Sequence, residues 1–471
     1  MRVSFKTASP VAHSVVSVSD VDRLRKMIEG DVFTPGSREY DGARRTAFAR
    51  NAATRPSAVV QCASTSDVVG VIRWAREHGT HLVPRGGGHC FSGRSTTEGV
   101  VLDLRRLDQV RLDTDGRARI GAGARLAHVY DELDAHSRVL PLGCGRTVGI
   151  VGLTLGGGLG LLGRRHGLTC DTLVRAEVVL ADGQLVVCDS EHEPDLFWAL
   201  RGGGGGQFGV VISLEFRTVS RPPATRLQLR WPEESAADVA AAWQDWAPSA
   251  DRNITVNLRI VADAGRPLQV MAFGAALLDG GDVHRHLADL LGGTGPPITA
   301  RFDPCVNPSD LKRSFFTDAV EGAWGAAVTR SRSDLFSGSL PRSKVHELID
   351  ELTEAPDGRR ELSFTALGGA YDDAGVTATA YAHRGQRFLL EHIAGDGSTW
   401  QDRSWRLAHP YASGGVYVNF PDPALTNWAA AYHGTNYPAL VKVKRTYDPE
   451  EFFHFPQSVP AAEIGRGREA P

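Results

Sequence analysis

The residues best equipped for chemistry stand in one short run, Pro84-Arg85-Gly86-Gly87-Gly88-His89-Cys90-Phe91-Ser92-Gly93. Three successive glycines carry no Cβ, so the backbone of such a run can lie directly against a ligand. Its consecutive amide N–H groups can curve into a concave anion site, to which Arg85 adds fixed positive charge. His89, at the exit of the turn, is the first candidate for a functional side chain.

Two more glycine clusters follow. One runs from Gly143 to Gly160 through Thr147, Val148 and Gly149. The other runs from Gly202 to Gly206 and closes on Gln207-Phe208-Gly209-Val210-Val211. Gly158-x-Gly160-x-x-Gly163, with Asp182 about 20 residues on, matches a dinucleotide-binding fingerprint. That fingerprint needs a smooth apolar strand before its first glycine. The preceding stretch instead holds Gly149, Gly152, Gly156 and Gly157, so the match is incidental.

The elements around these clusters can be read from pattern. Ala58 to Cys62 reads as a strand, Ser64 to Asp67 as N-caps of a helix with Val68, Val71, Ile72 and Trp74 inward, and His81 to Val83 as the next strand. This β-α-β unit delivers the chain to the first glycine turn. Val100 to Leu104 and Ala118 to Gly123 add strands, and Asp182-Gly183 turns a hairpin between Val174–Leu180 and Leu185–Cys188. Ser220-Arg221-Pro222-Pro223 is the clearest linker. Beyond it, strands at Leu227–Trp231, around the Ala262–Arg266 turn, and at Glu361–Leu367, Ala378–Ala382 and Arg387–His392 accompany helices at Ala236–Trp246 and Val283–Leu291. Such grouping predicts an α+β domain with an antiparallel sheet. Val416 to Phe420 reads as a last strand, whose period of two puts Tyr417 and Asn419 on one face.

At 471 residues, two or three domains are expected. Hydrophobic residues at 42%, charged residues at 23% and a net charge of −3 describe a globular chain with no bias toward nucleic acid or anionic membrane. Met1 to Ala8 lacks an apolar leader pattern, and no uncharged apolar run reaches the roughly 18 residues of a membrane span. The six cysteines form no CxxC pair and read as mostly buried thiols, Cys90 and Cys170 among them, so the cytoplasm is the expected compartment and no metal site is expected.

Together these motifs resemble those of the vanillyl-alcohol-oxidase-type flavoproteins, and within them the berberine-bridge-enzyme-like FAD-linked oxidases, over nearly the whole chain. The family's Arg-x-Gly-Gly-His loop is similar to Arg85 to His89, one glycine longer here, and its Ser-Gly and Asp-Leu follow-ons to Ser92-Gly93 and Asp103-Leu104. Its Thr-Val-Gly stretch resembles Thr147 to Gly160, and its Gly-Gly-Gly-x-Phe-Gly-Val run resembles Gly204 to Val211 with Gln207 where Asn is common. Tyr417-x-Asn419 and Lys444-x-x-Tyr447-Asp448-Pro449…Phe453-x-Phe455-x-Gln457-Ser458 resemble the closing signature.

The resemblance implies an FAD-binding domain of two α+β subdomains over residues 1–220. A substrate domain with a helix-covered antiparallel sheet would span 221–410, and a segment at 411–471 would return to the FAD-binding domain. It implies FAD attached through its 8α-carbon to His89. Arg85, Gly86, Gly87, Gly88, Ser92, Gly93, Thr147, Val148, Gly149, Gly152, Gly156, Gly157, Gly160, Gly209, Val211 and Asn419 would cradle the cofactor. Many relatives make a second link from a Cys where this chain has Gly145, with Cys144 one residue earlier, so a single histidyl link is expected. Val148 matches a position where a small Val goes with oxygen access, which favours an oxidase. Tyr417 is the leading catalytic base, Asn419 would hydrogen-bond the flavin or orient the substrate, and Tyr381, just before His383-Arg384, is the second candidate. Glu391 stands one residue off the place where some relatives carry a Glu base. The implied activity is hydride transfer from an alcohol, hemiacetal or amine carbon of a small molecule to FAD, with O2 reduced to H2O2 by a monomer or homodimer. The alternative is a flavin-dependent monooxygenase or oxidative cyclase of natural-product biosynthesis.

Overall fold

Short apolar runs buried on both faces are the pattern of parallel strands, and Ala58–Gln61, Leu82–Arg85 and Val100–Asp103 have that pattern. In the computed structural model, which describes residues 18–278, 283–305, 310, 328–355, 358–395 and 397–462, they pair in parallel with Val100 opposite both Ala58 and Leu82. Asp31–Phe33 adds an antiparallel edge. The helix Thr65–Glu77 links two of the strands. Ser64 Oγ accepts from the Asp67 N–H at 3.3 Å to cap it, and Val68, Val71, Ile72 and Trp74 form its buried face. The expectation about Met1 to Ala8 falls outside the described residues.

A second sheet is antiparallel, in the order Val110–Leu112, Arg117–Gly121, Val210–Arg217, Leu173–Val179, Leu185–Cys188. Its hairpin turns where the Asp-Gly pair predicts, with Gly183 at φ +81°. Both sheets share one apolar core, which also takes in Leu440, Val443 and Phe453 from the end of the chain.

The third sheet has seven antiparallel strands, in the order Thr299–Cys305, Ala224–Trp231, Gln269–Ala276, Ile254–Ala262, Arg360–Ala366, Phe388–Gly395, Val328–Phe336. Alternation divides its two faces. Leu258, Phe364, Leu390 and Phe336 pack in one core with residues of the helices Ala236–Trp246, Arg342–Glu354 and Trp400–Ala408. The other face carries the in-register row Arg259, Ser363, Glu391, Ser333. One step along it, Leu335 and Leu389 pack against Tyr371, Tyr381 and Tyr417. The fold is α+β, and no helix among the described residues is long and apolar enough to cross a membrane.

Two predicted strands are absent. Ala378 to Ala382 is a succession of turns, held by the Tyr381 N–H on Arg201 O (3.1 Å) and by Asn436 Nδ2 on Val376 O (2.8 Å). Val416 to Phe420 is likewise a turn, closed by the Phe420 N–H on Tyr417 O at 2.8 Å. Both runs are apolar because other elements bury them. Neither pairs in a ladder, and burial alone does not make a strand.

Candidate active site

The three glycine clusters meet at one cavity of about 370 Å³. Gly87 and Gly149 explain why glycine is needed there. A Cβ on Gly87 would stand 2.1 Å from the Gly149 nitrogen, and one on Gly149 would stand 2.3 Å from the Gly87 nitrogen. Two backbones in contact leave no room for side chains, and their amides remain available to a ligand.

Of the residues expected from sequence, Gly86, Gly87, Gly88, His89, Val148, Gly149, Gly152, Gly209, Val211, Tyr417 and Asn419 line this cavity. Arg85, Ser92, Gly93, Thr147, Gly156, Gly157, Gly160 and Tyr381 do not, and most of these support the wall from behind. Arg85 is the clearest correction. Register places it beside Asp103, and its Nη2 lies 2.6 Å from Asp103 Oδ2, fully buried. That guanidinium is engaged with a carboxylate, which it shares with Arg105, and with backbone carbonyls, and it does not reach the cavity lining. Ser92 Oγ donates to Pro421 O at 3.0 Å, tying the turn to the opposite wall. Gly93 turns the chain at φ +73°. A Cβ on Gly156 would stand 2.1 Å from Asn419 Oδ1, one on Gly157 2.9 Å from the Tyr381 ring, and one on Gly160 1.9 Å from Leu142 O.

His89 Nε2 and Thr147 Oγ1 share a hydrogen bond of 2.9 Å. Burial, and then the charge of Arg125, lower the imidazole pKa to about 4. The ring is therefore neutral at physiological pH and keeps a lone pair.

Tyr417 has unusual surroundings. Its Oη accepts from the Gly158 N–H (3.0 Å), the Leu159 N–H (3.3 Å) and Asn419 Nδ2 (3.0 Å). Asn419 Nδ2 also donates to Leu153 O at 3.0 Å, which holds the amide in place. Burial pushes the phenol up to about 12, and the three donors pull against it. Three donors on one oxygen suit a phenolate better than a phenol. Tyr417 and Asn419 thus meet as predicted, although through a turn.

Tyr381 sits behind Tyr417, with ring centroids 6.3 Å apart, under the Arg384 guanidinium at 5.2 Å. Tyr371 escaped the sequence reading. Its hydroxyl accepts from the Gly160 N–H (3.1 Å) and donates to Gly160 O (2.9 Å), bracing the second glycine cluster. Glu391 is off the cavity, where Ser331 Oγ donates to it at 3.2 Å. Burial and neighbouring Glu361 push it up to about 8. Cys144 and Gly145 both line the cavity, but the Cys144 side chain packs on the apolar cluster of Val139, Leu161 and Leu162. A Cβ at position 145 would point at Val148 Cγ2, 2.5 Å away. Cys90, read as a buried thiol, is half-buried and lines the cavity, whereas Cys170 is buried.

Comparison with known proteins interprets this arrangement. A model of the FAD binding domain matches residues 56–189, and a model described as berberine and berberine like matches residues 416–460. An uncharacterized FAD-linked oxidoreductase of Bacillus subtilis, YgaK, is 31% identical over 451 residues, covering 92% of this chain and 97% of its own. The chain belongs to the berberine-bridge-enzyme-like FAD-linked oxidases. This FAD-linked oxidase is also similar to the chitooligosaccharide oxidase of Gibberella zeae, at 28% identity over 449 residues (88% of this chain, 89% of the other). Its fold is that of the BBE-like 1 protein of Physcomitrella patens, with a TM-score of 0.85 at 23% identity over 94% of this chain and 99% of the other.

FAD is the cofactor of this family, and the cavity of this oxidase fits it. Backbone from three glycine clusters supplies close approach along the walls. Two buried donors on the lining, Arg94 Nε and Ser95 Oγ, have no partner among the described residues.

Proposed function

We propose that this oxidase takes hydride from an alcohol, hemiacetal or amine carbon of a small molecule, with FAD tethered to His89 alone and Tyr417 as base. On this reading residues 1–220 and 411–471 hold FAD, and residues 221–410 roof the reacting end. The carrying observation is the Tyr417 oxygen, on the cavity wall with three donors aimed at it. Relatives named chitooligosaccharide oxidase and xylooligosaccharide oxidase support an alcohol or hemiacetal carbon ahead of an amine.

When bound, FAD accepts the hydride and passes the electrons to O2 as H2O2. The protein's task is to place the substrate, receive a proton and exclude water. Tyr417 receives the substrate's hydroxyl proton as hydride leaves. The Gly158 and Leu159 amides and Asn419 pull against the burial that raises the Tyr417 phenol to about 12, and they are positioned without any reorganisation to hold the phenolate that accepts the proton. His89 supplies a neutral nitrogen for the covalent bond to the flavin 8α-carbon. Cys144, one residue before the place where relatives carry a second link, packs its side chain on an apolar cluster, which supports one link and not two.

The test is direct. Acid-precipitated wild-type protein is expected to stay yellow, and His89→Ala is expected to release all its flavin into the supernatant. Covalent flavin surviving in His89→Ala would refute the tether. Because the imidazole is depressed to about 4, its neutral form dominates above that pH. The rate of covalent incorporation should therefore rise through pH 4 and be flat from about pH 5 upward. An anaerobic screen of sugars, alcohols and amines for flavin bleaching then identifies the substrate class.

A further inference from the structure

Most buried arginines among the described residues have their charge answered. Arg85, Arg259, Arg332 and Arg384 face carboxylates at 2.6 to 2.8 Å, and Arg164 donates to four backbone carbonyls. Arg94 differs in having no carboxylate against it among the described residues. Its Nη2 donates to Gln457 Oε1 at 3.0 Å, its Cζ lies 4.5 Å from the Phe455 ring centroid, and its Nε, like those of Arg85, Arg201 and Arg384, has no partner among the described residues. The groups near enough to favour its charged form are Cys90 and Tyr432, and burial depresses its pKa. A half-buried guanidinium held by rings, an amide and the Tyr432 hydroxyl, with no carboxylate against it, is an incomplete arrangement. It calls for an anion.

Ser95 repeats the pattern on the next residue. It is 8% exposed, and its Oγ is buried without a partner. Both residues line the cavity, in a turn that Gly93 opens at φ +73° and the Thr96 N–H closes on Gly93 O at 3.1 Å. These two adjacent orphaned donors line the same cavity as Gly86 to Gly88 and could serve one anion. Which part of FAD they meet follows from their neighbours. Arg94 rests on Phe455, and a Cβ on Gly206 would stand 3.7 Å from Pro84 and 3.8 Å from Phe455. Tyr417, which marks the reacting end, is held instead by Gly158, Leu159 and Asn419.

We propose that Arg94 and Ser95 are the side-chain anchors of the FAD diphosphate, in the role that sequence assigns to Arg85. The inference rests on FAD as cofactor and not on the His89 tether or the role of Tyr417.

The experiment measures affinity for free FAD and for riboflavin, which lacks the diphosphate, in flavin-stripped protein carrying His89→Ala. Arg94→Met is expected to weaken FAD roughly 30- to 100-fold and Ser95→Ala roughly 5-fold, with riboflavin affinity altered less than about 2-fold. Arg94→Lys should recover part of the loss. The melting temperature of the stripped protein should rise in Arg94→Met, because an uncompensated buried charge is gone, while the gain on adding FAD should shrink. Equal losses for FAD and riboflavin, or unchanged FAD affinity in both Arg94→Met and Ser95→Ala, would overturn the proposal. Ser95→Ala, a deletion of one hydroxyl, keeps the test open if Arg94→Met fails to fold.

Discussion

Tyr417→Phe is expected to slow anaerobic flavin reduction by roughly 10²- to 10⁴-fold, the usual contribution of a positioned general base, while flavin content stays that of the wild type. The ring would keep its edge-on packing against Tyr381 and Phe420, at 6.3 and 5.0 Å between centroids, so the pocket keeps its shape. Only the oxygen goes. The amides of Gly158 and Leu159 lose an acceptor, which costs about 1–3 kcal/mol of stability per orphaned donor and leaves a folded enzyme. Asn419→Ala is the graded companion. Removing one donor from the phenolate pushes the Tyr417 phenol further up, in the direction burial already drives it. The rising arm of the reduction rate against pH should therefore move to higher pH, with the tyrosine still present. Stopped-flow reduction across a pH series reads both effects. Near-wild-type reduction in Tyr417→Phe would remove it as the base.

Much of this site was legible because glycine is a constraint that sequence displays openly. The approach of Gly87 to Gly149 is a backbone fact, and runs of glycine announce it wherever they occur. The rejection of Gly158-x-Gly160-x-x-Gly163 as a dinucleotide site also follows from context. Gly163 is glycine because the Tyr371 hydroxyl occupies the place of its Cβ, and Asp182 turns a hairpin. What a linear reading could not supply is the direction of a side chain. Arg85 and Arg94 flank the same loop with the same charge. Asp103, eighteen residues away in sequence but adjacent in register, claims the first and leaves the second. Tyr371 was invisible for a related reason, since its contact with Gly160 joins residues 211 apart in sequence. The two apolar runs misread as strands show that burial produces hydrophobic sequence with or without a ladder.

Lys444→Met is expected to destabilise the fold by about 3–5 kcal/mol, and to do so by loosening a wall of the cavity. Lys444 lies in the helix Tyr437–Tyr447 with no exposed surface. Its Nζ donates to Gln207 O (2.6 Å), Phe453 O (2.6 Å) and Asp448 Oδ2 (2.7 Å), so three protons meet three acceptors. Asp448 in turn accepts from the Phe452 and Phe453 amides, each at 2.9 Å. Gln207 closes the third glycine cluster, and its Oε1 accepts from the Val459 N–H at 2.7 Å. One ammonium group therefore stitches a glycine cluster to the end of the chain, immediately before His454 and Phe455 reach the cavity. Removing it orphans two carbonyls and leaves the Asp448 carboxylate buried without its counter-charge. Hence the double variant Lys444→Met, Asp448→Asn should be more stable than the sum of the single losses allows. Denaturant unfolding of the four proteins measures that coupling, and a Lys444→Met loss under about 1 kcal/mol would show the ion pair to be dispensable. The same variant should also bind FAD more weakly than wild type. Phe455, the ring beneath Arg94, is placed by the segment that Lys444 holds.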